Sequence, residues 1–179
     1  VGGLVSELAS LDAIRAGNRE PPEFLTASVE RAVRAAVGRL QTWDGVADTG
    51  SVETTWLVLA NERRALAGDT AAVELSRLRA LAEAMAALRR HHGDAAVPWG
   101  RLSRLQRPLP DAPPRLDTTR ASLAVGGAPG ALGSLFVFNT APFGAAEPRL
   151  GVHGNSFVKV IEFAPQVRAR SILNFGPVS

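Results

Sequence analysis

The stretch of sequence that decides the fold lies near the end of the 179-residue chain. Residues 156–163 have the sequence SFVKVIEF and residues 170–175 have the sequence RSILNF. Both runs are rich in β-branched and aromatic residues, which favour extended strands. The segment around Pro165 that separates them is typical of a turn. We therefore predict that the two runs form an antiparallel hairpin, and that residues 134–139 (SLFVFN) form another strand.

The first 93 residues have a helical pattern instead. Apolar residues recur at intervals of three or four, the spacing that places them on one face of a helix. Ser51 is a good N-cap for one of these segments, and Gly17 is typical of the position that follows a helix. The pattern predicts four amphipathic helices, over about residues 4–16, 23–43, 52–67 and 70–92.

The composition changes after residue 93. Five prolines fall between Pro98 and Pro114, which excludes a continuous helix there because proline lacks a backbone N–H donor. We therefore predict an α+β chain with a helical segment over residues 1–93, an extended Pro/Gly-rich connector over residues 94–133 and antiparallel β-strands over residues 134–179.

The composition also excludes several classes of protein. The chain has no cysteine, which excludes a disulfide framework, a zinc ribbon, an iron–sulfur site and a cysteine nucleophile. No apolar run reaches the roughly 18 residues that a membrane-spanning helix needs. The formal net charge is only +3, and the cations do not form a stripe with stacking aromatic residues. We therefore predict neither a membrane span nor a nucleic-acid partner.

A histidine, an amide and a hydroxyl occur close together at His153, Asn155 and Ser156. A Ser–His nucleophile pair needs a hydrogen bond between the two side chains and an acid that orients the imidazole. No Asp or Glu lies next to them in the sequence, so a polar turn, whose side chains bond backbone groups, is the favoured interpretation. These three residues stay candidates for a catalytic role.

The sequence contains no pattern for a metal or a cofactor. His91 and His92 are adjacent, so their rings point to different faces of a helix and cannot easily share a metal. We predict that they act instead as caps at the C-terminal end of the helix dipole. The glycine-rich residues 125–130 (VGGAPG) lack the Gly-Lys-Ser/Thr ending of a phosphate loop, so we predict a turn there. We predict no metal site and no cofactor.

Three separated segments together resemble one enzyme family. They are residues 40–45 (LQTWDG), residues 97–105 (VPWGRLSRL) and the strand region with residues 151–163 (GVHGNSFVKVIEF) and 169–176 (ARSILNFG). In order and spacing they are similar to the late part of the β chain of the penicillin acylase family, over about residues 36–179. Ser103 stands where a histidine is common in that family.

The resemblance implies a portion of the αββα fold of the N-terminal-nucleophile hydrolases. It also implies hydrolysis of linear N-acyl amides, as in penicillin, cephalosporin and acyl-homoserine-lactone acylases. In such enzymes the nucleophile is an N-terminal serine whose own α-amine acts as the base, and a backbone N–H and an asparagine amide form the oxyanion hole. Both positions are expected upstream of this chain, and Val1 has no hydroxyl to act as the nucleophile. The chain is therefore expected to be inactive alone.

The resemblance also implies partners and a compartment. We expect the remainder of the acylase α and β chains as partners, a small acylated amide as the substrate of the intact enzyme, and a periplasmic or secreted location. The start at Val1 without a methionine, and three strands that lack cover, favour a piece of a longer protein. In that scaffold Trp43, Trp56 and Trp99 are expected to be packing anchors.

Two other functions remain as alternatives. The chain could be a non-enzymatic interaction domain that pairs with a partner strand through an exposed sheet edge. It could also be a small serine hydrolase that uses Ser156 and His153, which predicts ester turnover that is lost in the Ser156→Ala variant.

Overall fold

The chain folds into a helical part followed by short strands. The structure is a computed structural model that describes residues 1–68, 75–106, 116–141, 143–155 and 157–173. Its helical part consists of α1 (Gly2–Ala16), α2 (Ala27–Thr42), α3 (Val52–Leu66) and α4 (Ser76–His92). Because strands follow these helices, the predicted α+β class is confirmed. The predicted start of the fourth helix, at residue 70, lies outside the described residues.

The starts of two helices follow from local capping. The Ser51 hydroxyl accepts a hydrogen bond from the Thr54 N–H at 3.0 Å, which confirms Ser51 as the N-cap of α3. Helix α2 begins at Ala27, later than predicted, because the Thr26 side chain caps it there. The Thr26 hydroxyl accepts the Val29 N–H at 3.4 Å.

Three helix ends have a residue in the left-handed conformation, and after α3 this residue is Gly68, with a φ of 79°. Gly93, with a φ of 80°, ends α4. Gly17 lies just past the end of α1, as predicted, but with a φ of -82° it is not left-handed. The left-handed residue after α1 is Asn18, with a φ of 53°. Asparagine adopts this conformation more readily than most residues because its short side chain can hydrogen-bond locally.

The N-terminus of α4 is capped by a residue from α1. Leu75, at the N-cap position, has a left-handed conformation and offers no side-chain cap. Instead the Glu7 carboxylate accepts the backbone N–H groups of Arg77 and Leu78, each at 2.9 Å. Unpaired N–H groups and the helix dipole both favour an anion at this position, so the contact fixes α1 against α4.

The four helices enclose an apolar core. Most residues that the periodicity predicts for the core are buried: Leu4, Leu11, Ile14, Val33, Val37, Leu40, Leu78, Leu81, Met85 and Leu88. Leu8, Phe24 and Val29, predicted for the same faces, are half-buried, and Val73 lies outside the described residues. Trp56 and Trp99 are 5% and 0% exposed, which confirms both as packing anchors. Trp43 is only half-buried and packs against the edge of the core.

A four-stranded sheet follows the helices. Its strands are β1 (Ser103–Leu105), β2 (Leu123–Ala124), β3 (Phe138–Ala141) and β4 (Arg149–Gly154), in the order β2-β1-β4-β3. Strands β1 and β4 are parallel, and the other two pairs are antiparallel. The register of β3 with β4 shifts at a bulge between Asn139 and Thr140. The one-turn helix α5 (Trp99–Leu102) connects this sheet to the helices.

Two predictions for this region need correction. The connector over residues 94–133 is not extended throughout, because it contains α5 and a 3₁₀ turn at Gly130–Leu132, while β1 and β2 are extended. Its prolines within residues 107–115 lie outside the described residues. The strand predicted over residues 134–139 begins only at Phe138. Before that point the chain bends, since the Ser134 hydroxyl donates to the Phe136 carbonyl oxygen at 2.8 Å.

The hairpin predicted near the end of the chain is confirmed. Strands β5 (Phe157–Glu162) and β6 (Arg168–Leu173) pair antiparallel through all six residues of each strand. They form a two-stranded sheet separate from the four-stranded one. The ends of the predicted strands, at Ser156 and at residues 174–175, lie outside the described residues.

Replacing Glu7 by Ala is expected to lower the free energy of unfolding by about 1–2 kcal/mol. The variant removes the charged acceptor of two helix N–H groups. Urea denaturation followed by circular dichroism measures the change. Glu20→Ala, at an exposed carboxylate, is the matched control and should change the value by less than about 0.5 kcal/mol. Equal losses in the two variants would contradict the capping role.

Candidate functional site

Three separated parts of the chain meet at Trp99, which is fully buried. Its backbone N–H donates to the Ser51 carbonyl oxygen at 3.0 Å. Its indole N–H donates to the Gly127 carbonyl oxygen at 2.7 Å. A buried donor without a partner is costly, so both bonds hold their partner segments against α5. We call residues 47–51, 99–100 and 126–127 the Trp99 junction.

Glycines allow the backbones of the Trp99 junction to approach closely. The Gly100 N–H donates to the Thr49 carbonyl oxygen at 2.8 Å, and a Cβ on Gly100 would lie 2.7 Å from the Thr49 Cβ. The Gly127 N–H donates to the Ala47 carbonyl oxygen at 2.6 Å. Gly127 has a φ of 88°, and a Cβ there would lie 2.6 Å from the Phe136 carbonyl oxygen. The glycine-rich segment is therefore a close packing contact that requires glycine.

A buried ion pair joins the helices to the sheet. The side chains of Glu62 on α3 and Arg149 on β4 are 8% and 1% exposed. Arg149 Nη1 donates to Glu62 Oε2 at 3.3 Å, and Arg149 Nη2 donates to Glu62 Oε1 and, at 3.3 Å, to the Thr140 carbonyl oxygen. The guanidinium also lies over the Trp99 ring, 5.5 Å from its centroid. The ion pair and the Trp99 junction thus form one continuous buried contact.

Burial raises the pKa of the Glu62 carboxyl above its ordinary value. The charge of Arg149, the hydrogen bonds from its guanidinium and the bond from the Gly144 N–H act in the opposite direction without cancelling the effect of burial. Glu62 therefore keeps its proton to a higher pH than an ordinary glutamate does.

A cavity of about 120 Å³ lies beside Glu62. The loop at its mouth is held by two bonds: the Gly144 N–H donates to Glu62 Oε2 at 3.3 Å, and the His92 ring bonds the Ala145 carbonyl oxygen. His92 lies in the last turn of α4, as predicted, and it also anchors this loop. Sites for drug-sized ligands begin at roughly 300 Å³, so the cavity is too small for such a ligand. Most of its lining is apolar: Leu59, Leu66, Ala84, Ala87, Phe143 and Ala145.

Two of the candidate residues predicted from the sequence, His153 and Asn155, lie in strand β4 and directly after it. His153 lies within strand β4, opposite Asn139, and its side chain is exposed. The prediction of a polar turn at His153 is therefore wrong, because the strand begins upstream of it. Asn155 follows the strand, and its side-chain amide donates to the Leu135 carbonyl oxygen at 3.0 Å. Ser156 lies outside the described residues.

Within the described ranges, no three His, Asp or Glu side chains lie close enough together to hold a metal ion. None of the helices in the described part of the chain is both long and apolar enough to cross a membrane.

A family model matches nearly the whole chain. The family model described as penicillin amidase matches residues 5–179. The chain belongs to the penicillin amidase family. The resemblance over residues 36–179 is thus confirmed, and the family match also includes most of α1. Curated proteins give no significant match. Because the penicillin amidase family consists of amide hydrolases, the chain is related to amidohydrolases.

The sequence patterns did not predict the buried Glu62–Arg149 ion pair. Charged residues on helices usually face solvent, and Arg149 is one of many arginines in the chain. The one usable signal is that Glu62 follows the buried Val58 and Leu59 by one helical turn, which places it on their face of α3.

Replacing Arg149 by Met is expected to lower the free energy of unfolding by about 3–5 kcal/mol, because Glu62 stays buried without its charge partner. Adding Glu62→Met should recover most of this loss, since apolar side chains of similar volume then fill the site. Urea denaturation measures both changes. Arg63→Met, which breaks the half-exposed pair with Glu83, is the control and should cost at most about 1 kcal/mol. A double variant no more stable than Arg149→Met would disprove the pairing.

The raised pKa of Glu62 predicts the pH dependence of its contribution to stability. The folded-state pKa lies above the unfolded value, so this contribution is fully present below the unfolded pKa and is lost as the pH rises through the folded pKa. As the pH rises through this range, the free energy of unfolding of the unchanged chain should therefore fall relative to that of the Glu62→Gln variant, in which residue 62 does not titrate. Urea denaturation of both proteins from acid to neutral pH measures the difference. The opposite slope would mean that Arg149, and not burial, controls the titration.

Proposed function

We propose that this chain is a scaffold part of an enzyme that hydrolyses N-acyl amides, with a reacting serine supplied by polypeptide outside it. Membership of the penicillin amidase family supports the reaction class. The observation that carries the scaffold role concerns Asn155, whose side-chain amide could serve as an oxyanion donor. That amide is already bonded to the Leu135 carbonyl oxygen. His153 is exposed on a strand, so neither residue is arranged around a reacting atom.

The exposed apolar residues of the β5–β6 hairpin favour the view that the hairpin is part of a larger sheet. Phe157 is 59% exposed, Ile161 41% and Val160 67%. Phe157 and Ile161 lie on one face of the hairpin and Val160 on the other, because side chains alternate along a strand. A two-stranded hairpin is marginally stable alone, and exposed apolar surface marks places where another layer packs. We therefore infer that the hairpin pairs with a sheet elsewhere in the enzyme.

The proposed substrate is a linear amide formed from a carboxylic acid and an amine. Family membership supports this class, and penicillin, cephalosporin and acyl-homoserine-lactone acylases are the types that we propose. Water would release the acid and the amine through an N-terminal serine nucleophile, with an asparagine amide in the oxyanion hole. We also propose that the enzyme is periplasmic or secreted, and that this chain assembles with the rest of its α and β chains.

A non-enzymatic interaction domain is the second candidate. The exposed hairpin favours it too, because a partner strand could add to the edge of β5 or β6. Phe163, which follows β5, is 84% exposed and would be covered by such a partner. The two candidates differ in what the whole protein does, since only the amidase releases a carboxylic acid.

The full gene product is expected to release a carboxylic acid from a phenylacetylated amine, while the 179-residue chain alone should release none. In the full product His153→Ala should leave kcat/KM unchanged within about twofold, because His153 makes no transition-state contact in this proposal. Chromatography of the released acid measures both. Turnover by the chain alone that is lost in Ser156→Ala would instead establish the small serine hydrolase.

A further inference from the structure

The two faces of the β5–β6 hairpin differ in their charged residues. One face has Phe157, Lys159 and Ile161 from β5, because side chains alternate along a strand. On β6, Ser171 pairs with Lys159 and Ala169 pairs with Ile161, so both share this face. We call these five residues the Lys159 face, and all five are exposed. Lys159 is the one charged residue among them, and it lies between two large apolar side chains.

The opposite face of the hairpin has its own countercharges. There Glu162 on β5 pairs with Arg168 on β6, and Val160 pairs with Arg170. Opposite charges directly across a strand pair attract, so the Glu162 carboxylate has a cation beside it on its own face. It points away from Lys159, because side chains three residues apart in a strand lie on opposite faces. Within the described hairpin, the Lys159 face therefore has a cation and no carboxylate.

A layer of polypeptide on the Lys159 face would bury the lysine charge. The proposed function, on which this inference rests, places the hairpin within a larger sheet. The exposed Phe157 and Ile161 favour such a layer, because contiguous apolar surface marks a contact with other polypeptide. Lys159 is the third of the six residues of β5, so its ammonium would be covered together with them. Burial of an ammonium is strongly unfavourable unless an anion pairs with it.

We propose that a segment from the rest of the amidase covers the Lys159 face and pairs an Asp or Glu side chain with Lys159. Charge complementarity selects this partner, because Ser171, the residue opposite Lys159, offers only a hydroxyl. The rest of the segment is apolar, to match Phe157 and Ile161. A second copy of the chain fits less well, since two Lys159 faces packed about a twofold axis would bring two ammonium groups together. The ion pair fixes the register in which the hairpin docks.

Carbodiimide cross-linking of the full gene product tests this contact, because the reagent joins an amine to a carboxylate that touches it. Lys159 is the only lysine in this chain, so mass spectrometry identifies its peptide unambiguously. We expect this peptide to be linked to an Asp or Glu outside residues 1–179, and the link to be absent in Lys159→Arg, whose guanidinium does not react. The absence of a link in the unchanged protein would overturn the proposal. So would a link to a carboxylate within residues 1–179, in the same or a second copy.

Urea denaturation of the full gene product tests the same contact without a reagent. Lys159→Met leaves the partner carboxylate buried and unpaired, so it should lower the folding equilibrium constant by about 100-fold or more. Arg168→Met, on the opposite face of the hairpin, is the matched control and should lower it at most about fivefold. Equal losses in the two variants would overturn the proposal. Neither experiment depends on turnover, so a protein that forms the link but releases no carboxylic acid would contradict the proposed function alone.

Discussion

Trp99 can be fully buried because its indole N–H reaches a carbonyl oxygen, that of Gly127, at 2.7 Å. This hydrogen bond holds the glycine-rich residues 125–130 against α5. The backbone N–H of Trp99 likewise bonds Ser51, the residue that caps α3. The Arg149 guanidinium lies over the same ring, so helix α3, helix α5 and strand β4 share one buried aromatic side chain. The position of the sheet on the helices depends on this contact.

The loop before α3 is shaped for the Trp99 junction by its own polar residues. The Asp44 carboxylate accepts the Val46 N–H, and the Asp48 carboxylate accepts the Gly50 N–H, each at 2.9 Å. Such local turns fix the backbone of a loop. The indole of Trp43 donates to the Val46 carbonyl oxygen at 3.2 Å and holds the start of the same loop. The LQTWDG segment, on which the resemblance to the penicillin amidase family partly rested, therefore has a structural role that requires no catalytic chemistry.

The sequence predicted the elements whose signal is local. The helices repeat apolar residues every three or four positions, and β5 and β6 are six-residue runs beside a turn. Strands β1 and β2 have only three and two residues, too few to show an alternation. Strand β4 was missed around His153 because it contains Gly151 and Gly154, and glycine weakens the strand pattern. The Glu62–Arg149 pair joins positions 87 apart in the sequence, and no local pattern indicates such a partner.

The parallel pairing of β1 with β4 has a consequence for biosynthesis. The two strands are separated by residues 106–148, because a parallel pair cannot be closed by a tight turn. On the ribosome β1 emerges early and pairs on one side with β2, while its other side waits for β4. An open strand edge invites aggregation, and long-range pairing of this kind is slow. The nascent chain therefore keeps this open strand edge until β4 (Arg149–Gly154) has been synthesised, and Arg149 of that strand also supplies the countercharge for Glu62.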